Sequence, residues 1–321
     1  LPFSFGLPAD RVPATNNALE VIADGRYLNV PPNMAGDGKN ASATDFYQPA
    51  GLYRSVWLHA LPPLFVADSL FAKPVSVLSA SERAVVVEYT LDSALPSGEY
   101  DVDVTFAIRD VSGALVTSLS ERLRVQSPSR RVFSSRITSG LSNIALWSLE
   151  RPQLYELSVV AVVAAAQVKH AGAVRFGFRS AVFTKEGFFL NGERLQIVGL
   201  NRHHLFPFMG AAVTRRHQRR DVDILKQTVN FVRQSHYPQV CVIRALLVLQ
   251  TELRTQDTSF LDACDEQGLL VWAEPPGLCL HLSRVLVFAC SLRSTRFPCS
   301  KAGVILATRR GRASCYAMCA S

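Results

Sequence analysis

Three stretches of this chain decide its fold: GLNRH at residues 199–203, VRQSHYP at 232–238 and GLLVWAEP at 268–275. Each begins with apolar residues, as a buried strand does, and ends in polar residues, among them Asn, Arg, His and Glu. Segments with a helical spacing of apolar residues separate the three stretches. A (β/α) barrel alternates strands and helices in this way and builds its site at the C-terminal ends of the strands. The sequence therefore predicts three strands of such a barrel.

The segments between these stretches carry helix signals. Thr214 is a suitable N-cap residue for the first helix. This helix has an apolar stripe formed by Val222, Leu225 and Ile224. Its opposite face carries Arg215, Arg216, Arg219 and Arg220, which we interpret as a solvated helix face. A second helix is predicted over Phe260–Gln267, with Gly268 at the C′ position that favours glycine.

The first half of the chain carries the apolar period of β-strands. Val85–Tyr89 predicts one strand, and the alternation of apolar and polar residues over Tyr100–Ile108 predicts a half-buried second strand. Asp110–Gly113 provides a turn signal. Short strands with regular turns favour an antiparallel sandwich over residues 62–181. We interpret the aromatic residues of this region, such as Trp147, as packing residues.

Several motifs together resemble glycoside hydrolase family 2, the group of β-galactosidases, β-glucuronidases and β-mannosidases. GLNRH and VRQSHYP carry the resemblance in the predicted barrel, preceded by FLNGER at residues 189–194. DFYQ at 45–48 and GLYRSVWL at 51–58 resemble the closing strands of the family's sugar-binding jelly roll. FGFR at 176–179 resembles the exit strand of its immunoglobulin-like domain.

The resemblance implies a multidomain β plus α/β fold. It implies that residues 1–61 are the C-terminal remnant of the jelly-roll domain and that 62–181 form the immunoglobulin-like β-sandwich. Residues 182–277 then form the N-terminal part, about three strands, of the TIM (β/α)8 barrel catalytic domain. Residues 240–256 interrupt the family pattern and are interpreted as an insert. The tail, 278–321, does not resemble the family, and we expect it to be poorly ordered and without a packed core.

The resemblance also implies half of a sugar pocket at the strand ends. Its substrate-binding residues are Asn201, Arg202, His203, Arg233, His236, Tyr237 and Glu274. Imidazole, guanidinium and amide groups supply the fixed hydrogen-bond donors that sugar hydroxyls need. A metal site at the adjacent residues His203 and His204 is disfavoured, because neighbouring side chains on an extended chain point in opposite directions. The ligands of the family's magnesium site are not found, and no cofactor is predicted.

Glycosidases of this kind use two carboxyl groups, an acid/base and a nucleophile, on either side of the scissile bond. The family places both beyond the point where the resemblance ends, near Gly277. Glu274 is the only carboxylate at the end of a predicted barrel strand, and it matches a site-lining acid of the family motif. No catalytic residue is therefore assigned to this chain.

Charge and cysteine are both concentrated towards the C-terminus. The net charge is +8, but after Glu274 seven basic residues occur without an acidic one, whereas the preceding chain has 27 basic and 26 acidic residues. This distribution, without a recognisable nucleic-acid module, argues against a nucleic-acid partner. Five of the seven cysteines also lie in the tail, and the spacing is not that of a zinc site or a disulfide framework. No segment reaches the roughly 18 apolar residues that a membrane-spanning helix needs.

The sequence thus leads to three functional hypotheses. By resemblance, the chain is a glycosidase that hydrolyses O-glycosyl bonds of β-galactosides, although it is expected to be inactive because it lacks both catalytic carboxylates. The alternative from another class is a non-catalytic β-sandwich module that binds carbohydrate or another partner. The third is a fragment without function that results from a faulty gene model.

Overall fold

The computed structural model describes residues 52, 55–67, 70–238, 258–274, 305–309 and 312–318. They belong to two compact units. The sandwich unit contains Trp57–Val198 and Asp262–Leu270, and the barrel unit contains Gly199–Leu261 and Val271–Ala320. The jelly-roll remnant expected over 1–61 lies outside the described residues except for a few at its end, and the insert expected over 240–256 lies outside them entirely.

Six antiparallel strands build the main sheet of the sandwich unit. They are β1 (Leu64–Val66), β2 (Phe71–Val75), β3 (Ala84–Asp110), β4 (Leu115–Ile137), β5 (Tyr155–Val163) and β6 (Val168–Phe176). The long strand β3 is central, because it pairs with β1, β2, β4 and β5, and β5 in turn pairs with β6. The prediction of an antiparallel β structure for this region is confirmed.

Strand β3 joins two predicted strands into one. Its pairing with β4 changes register between Ser93 and Gly98, so the strand has two halves with different neighbours. The first half pairs with β1 and β2, and the second half pairs with β5. The rings of Tyr89 in the first half and Phe106 in the second are 5.3 Å apart in a T-shaped contact. The two halves therefore face each other across one core, as in a sandwich.

The core of the sandwich unit follows the predicted alternation. Val102, Val104, Phe106 and Ile108 are fully buried, whereas their sequence neighbours on β3 are more exposed. The interpretation of the aromatic residues as packing residues is also confirmed. Four of these aromatic residues are buried: Trp147, Tyr155, Phe176 and Phe178. The ring centroid of Phe178 lies 5.1 Å from the ring centroids of both Tyr155 and Phe176.

A small sheet follows the sandwich. Its strands are β7 (Ala181–Thr184), β8 (Gly187–Leu190) and β9 (Glu193–Arg194). Asn191, in the turn after β8, accepts a hydrogen bond from the Ser180 backbone amide at 3.0 Å. Its amide nitrogen donates to the Trp147 carbonyl oxygen at 2.9 Å. Asn191 therefore fixes this small sheet to the buried Trp147.

Residues 262–270 pack within the sandwich unit around the same tryptophan. The Trp147 indole N–H donates to the Asp265 carbonyl oxygen at 2.8 Å. Arg175 forms ion pairs with Asp262 at 3.0 Å and with Glu266 at 2.7 Å. Gly268 has φ +74°, and a Cβ placed there would lie 2.3 Å from the Leu149 carbonyl oxygen. This position needs glycine both for its backbone conformation and for the close approach.

The barrel unit contains one five-stranded sheet. Its strands are β10 (Gly199–Arg202), β11 (Phe231–Pro238), β12 (Leu270–Glu274), β13 (Ile305–Arg309) and β14 (Arg312–Met318), in the spatial order β10-β11-β12-β14-β13. Strands β10 and β11 are parallel. The alternating helices are α1 (Arg215–Lys226) and α2 (Thr258–Gln267). The expected order of strand, helix, strand, helix and strand is thus present from β10 to β12.

Two short parts of the tail lie within the described residues, where β13 and β14 form a hairpin. The expectation that residues 278–321 are poorly ordered and without a packed core stays a prediction. Strand β14 pairs antiparallel with β12, with Trp272 opposite Met318 and Ala273 opposite Ala317. An edge strand presents unpaired backbone N–H and C=O groups, which another strand can satisfy. The backbone groups on the edge of β12 therefore find partners in β14 of the hairpin.

Helix α1 largely follows its prediction. Thr214 is the N-cap residue, and its hydroxyl lies 2.8 Å from the His217 imidazole. Val222 is fully buried, but Ile224 is 51% exposed, so its assignment to the apolar stripe is wrong. Ile224 lies about 200° around the helix from Val222, on the opposite side. Among the described residues, no helix has the length and apolar character needed to span a membrane.

Candidate functional site

The ends of β10 and β11 bring two predicted substrate-binding residues together. In the parallel pairing of these strands, Asn201 lies opposite Arg233. An Arg233 guanidinium nitrogen donates to the Asn201 side-chain oxygen at 3.3 Å. Asn201 is exposed, and Arg233 is half-buried. The pair therefore presents an amide and a guanidinium towards solvent at neighbouring strand ends.

Arg202 has a different environment from its neighbour Asn201. Its Nε and Nη2 atoms donate to the Asp221 carboxylate at 2.9 and 2.6 Å, and Nη2 also donates to Gln218 Oε1 at 2.6 Å. Its guanidinium carbon lies 4.0 Å from the centroid of the Phe260 ring. Arg202 and Gln218 are both buried. These contacts connect the end of β10 to α1 and to α2, so Arg202 has the environment of a packing and positioning residue.

The two residues after Arg202 also differ from each other. His203 is exposed beyond the end of β10, whereas His204 is only 3% exposed. The two adjacent histidines therefore have different environments. Within the part of the chain that the structure describes, no group of three or more His, Cys, Asp and Glu residues could hold a metal ion. Cys264 on α2 is buried, as expected of a small apolar residue.

The remaining predicted site residues lie on the same sheet. His236 and Tyr237 are in the second half of β11, and Glu274 is the last residue of β12, which lies beside β11. The side chains of these three residues lie outside what the structure describes. Their backbone positions place all three towards the C-terminal ends of adjacent strands, as their sequence positions predict.

Sequence reasoning missed Gln218 and Asp221, the two partners of Arg202. A signal for them was present, because residues 218, 221, 222 and 225 follow the i, i+3, i+4, i+7 spacing of one helix face. Two polar residues on the face of the buried Val222 indicate a buried polar partner, since an unpaired buried polar group is costly. That partner is Arg202.

The described part of this site can bind hydroxyl groups but has no pair of free carboxylates for acid/base chemistry. Asn201 offers both donors and acceptors, and Arg233 offers charged donors. Asp221, the carboxylate in contact with the end of β10, is engaged by Arg202. The geometry is therefore that of a polar binding surface.

Two family models match the chain. The model described as "Glycosyl hydrolases family 2" matches residues 74–179, and the model described as "Glycosyl hydrolases family 2, TIM barrel domain" matches residues 182–296. The second match extends past Gly277, where the resemblance read from the motifs ends.

Curated relatives and solved structures agree with these models. The chain is 31% identical over 266 residues to a β-galactosidase of Thermoanaerobacter pseudethanolicus. This match covers 81% of this chain and 31% of that protein. It is 30% identical over 236 residues to a putative β-glucuronidase of Formosa agariphila, and this match covers 73% of this chain and 25% of that protein. The structure of β-glucuronidase 2 of Bacteroides uniformis superposes with a TM-score of 0.64 at 27% identity. The superposition covers 77% of this chain and 28% of that chain. The chain thus spans a third or less of the length of these proteins.

Proposed function

Because this chain belongs to glycoside hydrolase family 2, we propose that it forms a carbohydrate-binding half-site of a glycosidase for β-galactosides. Asn201, His203 and Arg233 contact the sugar at the ends of β10 and β11. His236, Tyr237 and Glu274 complete this surface from the ends of β11 and β12. Arg202 acts as a positioning residue that holds the end of β10 between its two helices.

The observation that carries this proposal is the hydrogen bond between Arg233 and Asn201 across the two parallel strands. It fixes a charged donor next to an amide at neighbouring strand ends, where barrel enzymes build their sites. Sugar hydroxyls both donate and accept hydrogen bonds, so such a pair is suited to bind two adjacent hydroxyls. The similarity to β-galactosidases supports the choice of β-galactosides.

We further propose that the 321-residue chain does not hydrolyse glycosides by itself. Hydrolysis by this mechanism needs two carboxyl groups that flank the scissile bond. The sequence has no Asp or Glu after Glu274, and Glu274 is the one carboxylate at the end of a motif-bearing strand. A single carboxylate cannot serve as both proton donor and nucleophile in this mechanism.

Titration of the full chain with methyl β-galactoside tests the binding proposal. We expect saturable changes in the amide NMR signals of residues 199–203 and 231–234. Replacement of Arg233 by methionine is expected to weaken this binding about tenfold, because it removes a charged donor to the sugar.

Arg216→Met is the matched control, because Arg216 is exposed and lies on α1, outside strands β10 and β11. Its affinity for the sugar is expected to equal that of the unmodified chain. Unchanged amide signals at the strand ends up to a large excess of sugar would contradict the proposal. Equal affinities of the Arg233→Met and Arg216→Met variants would also contradict it.

A further inference from the structure

The sandwich unit contains an open cavity of mixed polar and apolar lining that neither the strand-end site nor the family resemblance explains. Its volume is about 330 Å³, near the lower end of the range for small-molecule sites. It is lined by Asp110, Val116, Gly140, Asn143, Ile144, Ala145, Gln153 and Tyr155. These residues come from the end of β3, the start of β4, the start of β5 and the segment that precedes β5.

One side of the cavity is formed by a fixed carboxylate. Asp110 Oδ1 accepts hydrogen bonds from the backbone amides of Ser112 and Ala114 at 2.9 and 3.0 Å, and from the Ser112 hydroxyl at 2.6 Å. The Ser112 hydroxyl, followed by these backbone amides, lowers the pKa of the Asp110 carboxyl below its usual value. The carboxylate is therefore ionised at neutral pH, and its second oxygen takes no part in these three bonds.

Two carboxamides provide further polar groups. The Gln153 amide nitrogen donates to the Leu154 carbonyl oxygen at 3.2 Å, a bond that does not use the Gln153 side-chain oxygen. Asn143 is exposed and lines the cavity with its carboxamide group. The cavity thus offers a carboxylate acceptor, an amide acceptor and an amide group that can donate and accept.

The rest of the lining is apolar. Val116 and Ile144 are half-buried and pack against the core of the sandwich unit. The Tyr155 ring is buried, and its hydroxyl oxygen accepts a hydrogen bond from the Ala145 backbone amide at 2.9 Å. A pyranose ring has the matching properties, because it carries hydroxyl groups at its edge and C–H groups on its faces. Apolar walls with a few placed polar groups are typical of small-molecule sites.

The charge of the cavity selects among sugars. The eight lining residues include one carboxylate and neither arginine nor lysine. Arg109 and Arg83 lie near the cavity, but their guanidinium groups donate to backbone carbonyls of Gly113, Leu141 and Ser142. The carboxylate in the lining disfavours ligands that carry a carboxylate or a phosphate of their own, because like charges repel. An uncharged sugar is therefore favoured over a uronic acid.

We propose that this cavity is a second carbohydrate site, which binds one uncharged pyranoside through Asp110, Asn143 and Gln153. The site lies entirely within the sandwich unit and is independent of the proposed function of the strand ends. It gives the sandwich unit a binding activity of its own, separate from glycoside hydrolysis.

NMR titration of the full chain tests this site, with methyl β-galactoside and methyl β-glucuronide as probes. We expect saturable shifts of the amide signals of Asp110, Asn143 and Gln153 with the galactoside, and weaker binding of the glucuronide. Asn143→Ala and Gln153→Met are each expected to weaken galactoside binding at the sandwich about fivefold, because each removes one neutral hydrogen-bond partner. Gln126→Ala, at an exposed position on β4, is the control and is expected to have no effect.

The Arg233→Met variant separates this site from the strand-end site. It is expected to leave the shifts at Asp110, Asn143 and Gln153 unchanged, whatever happens at residues 199–203. The proposal is overturned if the galactoside produces no saturable shift at the cavity. It is also overturned if both cavity variants bind like the Gln126→Ala control, or if the glucuronide binds the cavity as tightly as the galactoside.

Discussion

Replacement of Arg202 by alanine is expected to destabilise the barrel unit by about 3 kcal/mol, the lower part of the range for breaking a buried ion pair. The Arg202 side chain is only 7% exposed, and that of its partner Asp221 is 25% exposed. Alanine would leave the Asp221 carboxylate and the fully buried Gln218 without the donor that both share. It would also remove the guanidinium from the face of the Phe260 ring. Amide hydrogen exchange of β10 and α1 measures this loss locally.

Two further variants show which property of Arg202 matters. Arg202→Lys keeps the charge but cannot bridge Asp221 and Gln218 with a planar fork, so we expect it to lose about half as much stability as alanine. Arg216→Ala removes an exposed arginine of the same helix and is expected to change stability by less than about 0.5 kcal/mol. If Arg202→Ala has as small an effect as Arg216→Ala, the assignment of Arg202 as a positioning residue is wrong.

Replacement of Trp147 by alanine is expected to destabilise the sandwich unit by about 3–5 kcal/mol, the cost of removing a large buried aromatic side chain. Trp147 is fully buried, and its indole N–H donates to the Asp265 carbonyl oxygen. The Arg179 guanidinium carbon lies 4.6 Å from its ring centroid. Alanine would leave a cavity and would remove the indole hydrogen bond to the Asp265 carbonyl oxygen. Urea unfolding followed by circular dichroism measures the loss of stability.

A second tryptophan provides the matched control. Trp57 belongs to the same unit but is 75% exposed, so Trp57→Ala is expected to change stability by less than about 0.5 kcal/mol. Trp147→Phe keeps most of the ring but removes the hydrogen bond to Asp265, and we expect a loss of about 1–2 kcal/mol relative to the unmodified chain. Similar effects of Trp147→Ala and Trp57→Ala would show that Trp147 does not hold this unit together.

Much of the fold could be predicted from local sequence patterns. The alternation over Tyr100–Ile108 predicts the buried face of β3, because side chains of a strand alternate between two faces. The helix signals at Thr214 and Gly268 predict the start of α1 and the end of α2. Strand bounds were less accurate: Val85–Tyr89 and Tyr100–Ile108 were predicted as two strands, but both belong to β3 (Ala84–Asp110). Apolar residues mark a strand, whereas its bounds depend on pairing with other strands, which is non-local.

The candidate site shows a similar limit. The motif GLNRH predicts polar groups at a strand end but does not separate Asn201, which is exposed, from Arg202, which is buried. That difference depends on Asp221 and Gln218, which approach Arg202 only after α1 packs on the sheet. The sandwich cavity was not predicted at all. Its polar residues Asp110, Asn143 and Gln153 are separated along the chain and come together only through the pairing of β3 with β4 and β5.

The most direct test of the central claim, that this chain binds β-galactosides but does not hydrolyse them, is an assay of the 321-residue chain. Aryl β-galactoside, β-glucuronide and β-mannoside are the substrates, and the Glu274→Gln variant is assayed in parallel. We predict no turnover above the uncatalysed rate for either protein, because the chain offers one motif carboxylate where the mechanism needs two. Turnover of any of the three substrates above the uncatalysed rate would contradict this account, and its loss in Glu274→Gln would give Glu274 a catalytic role.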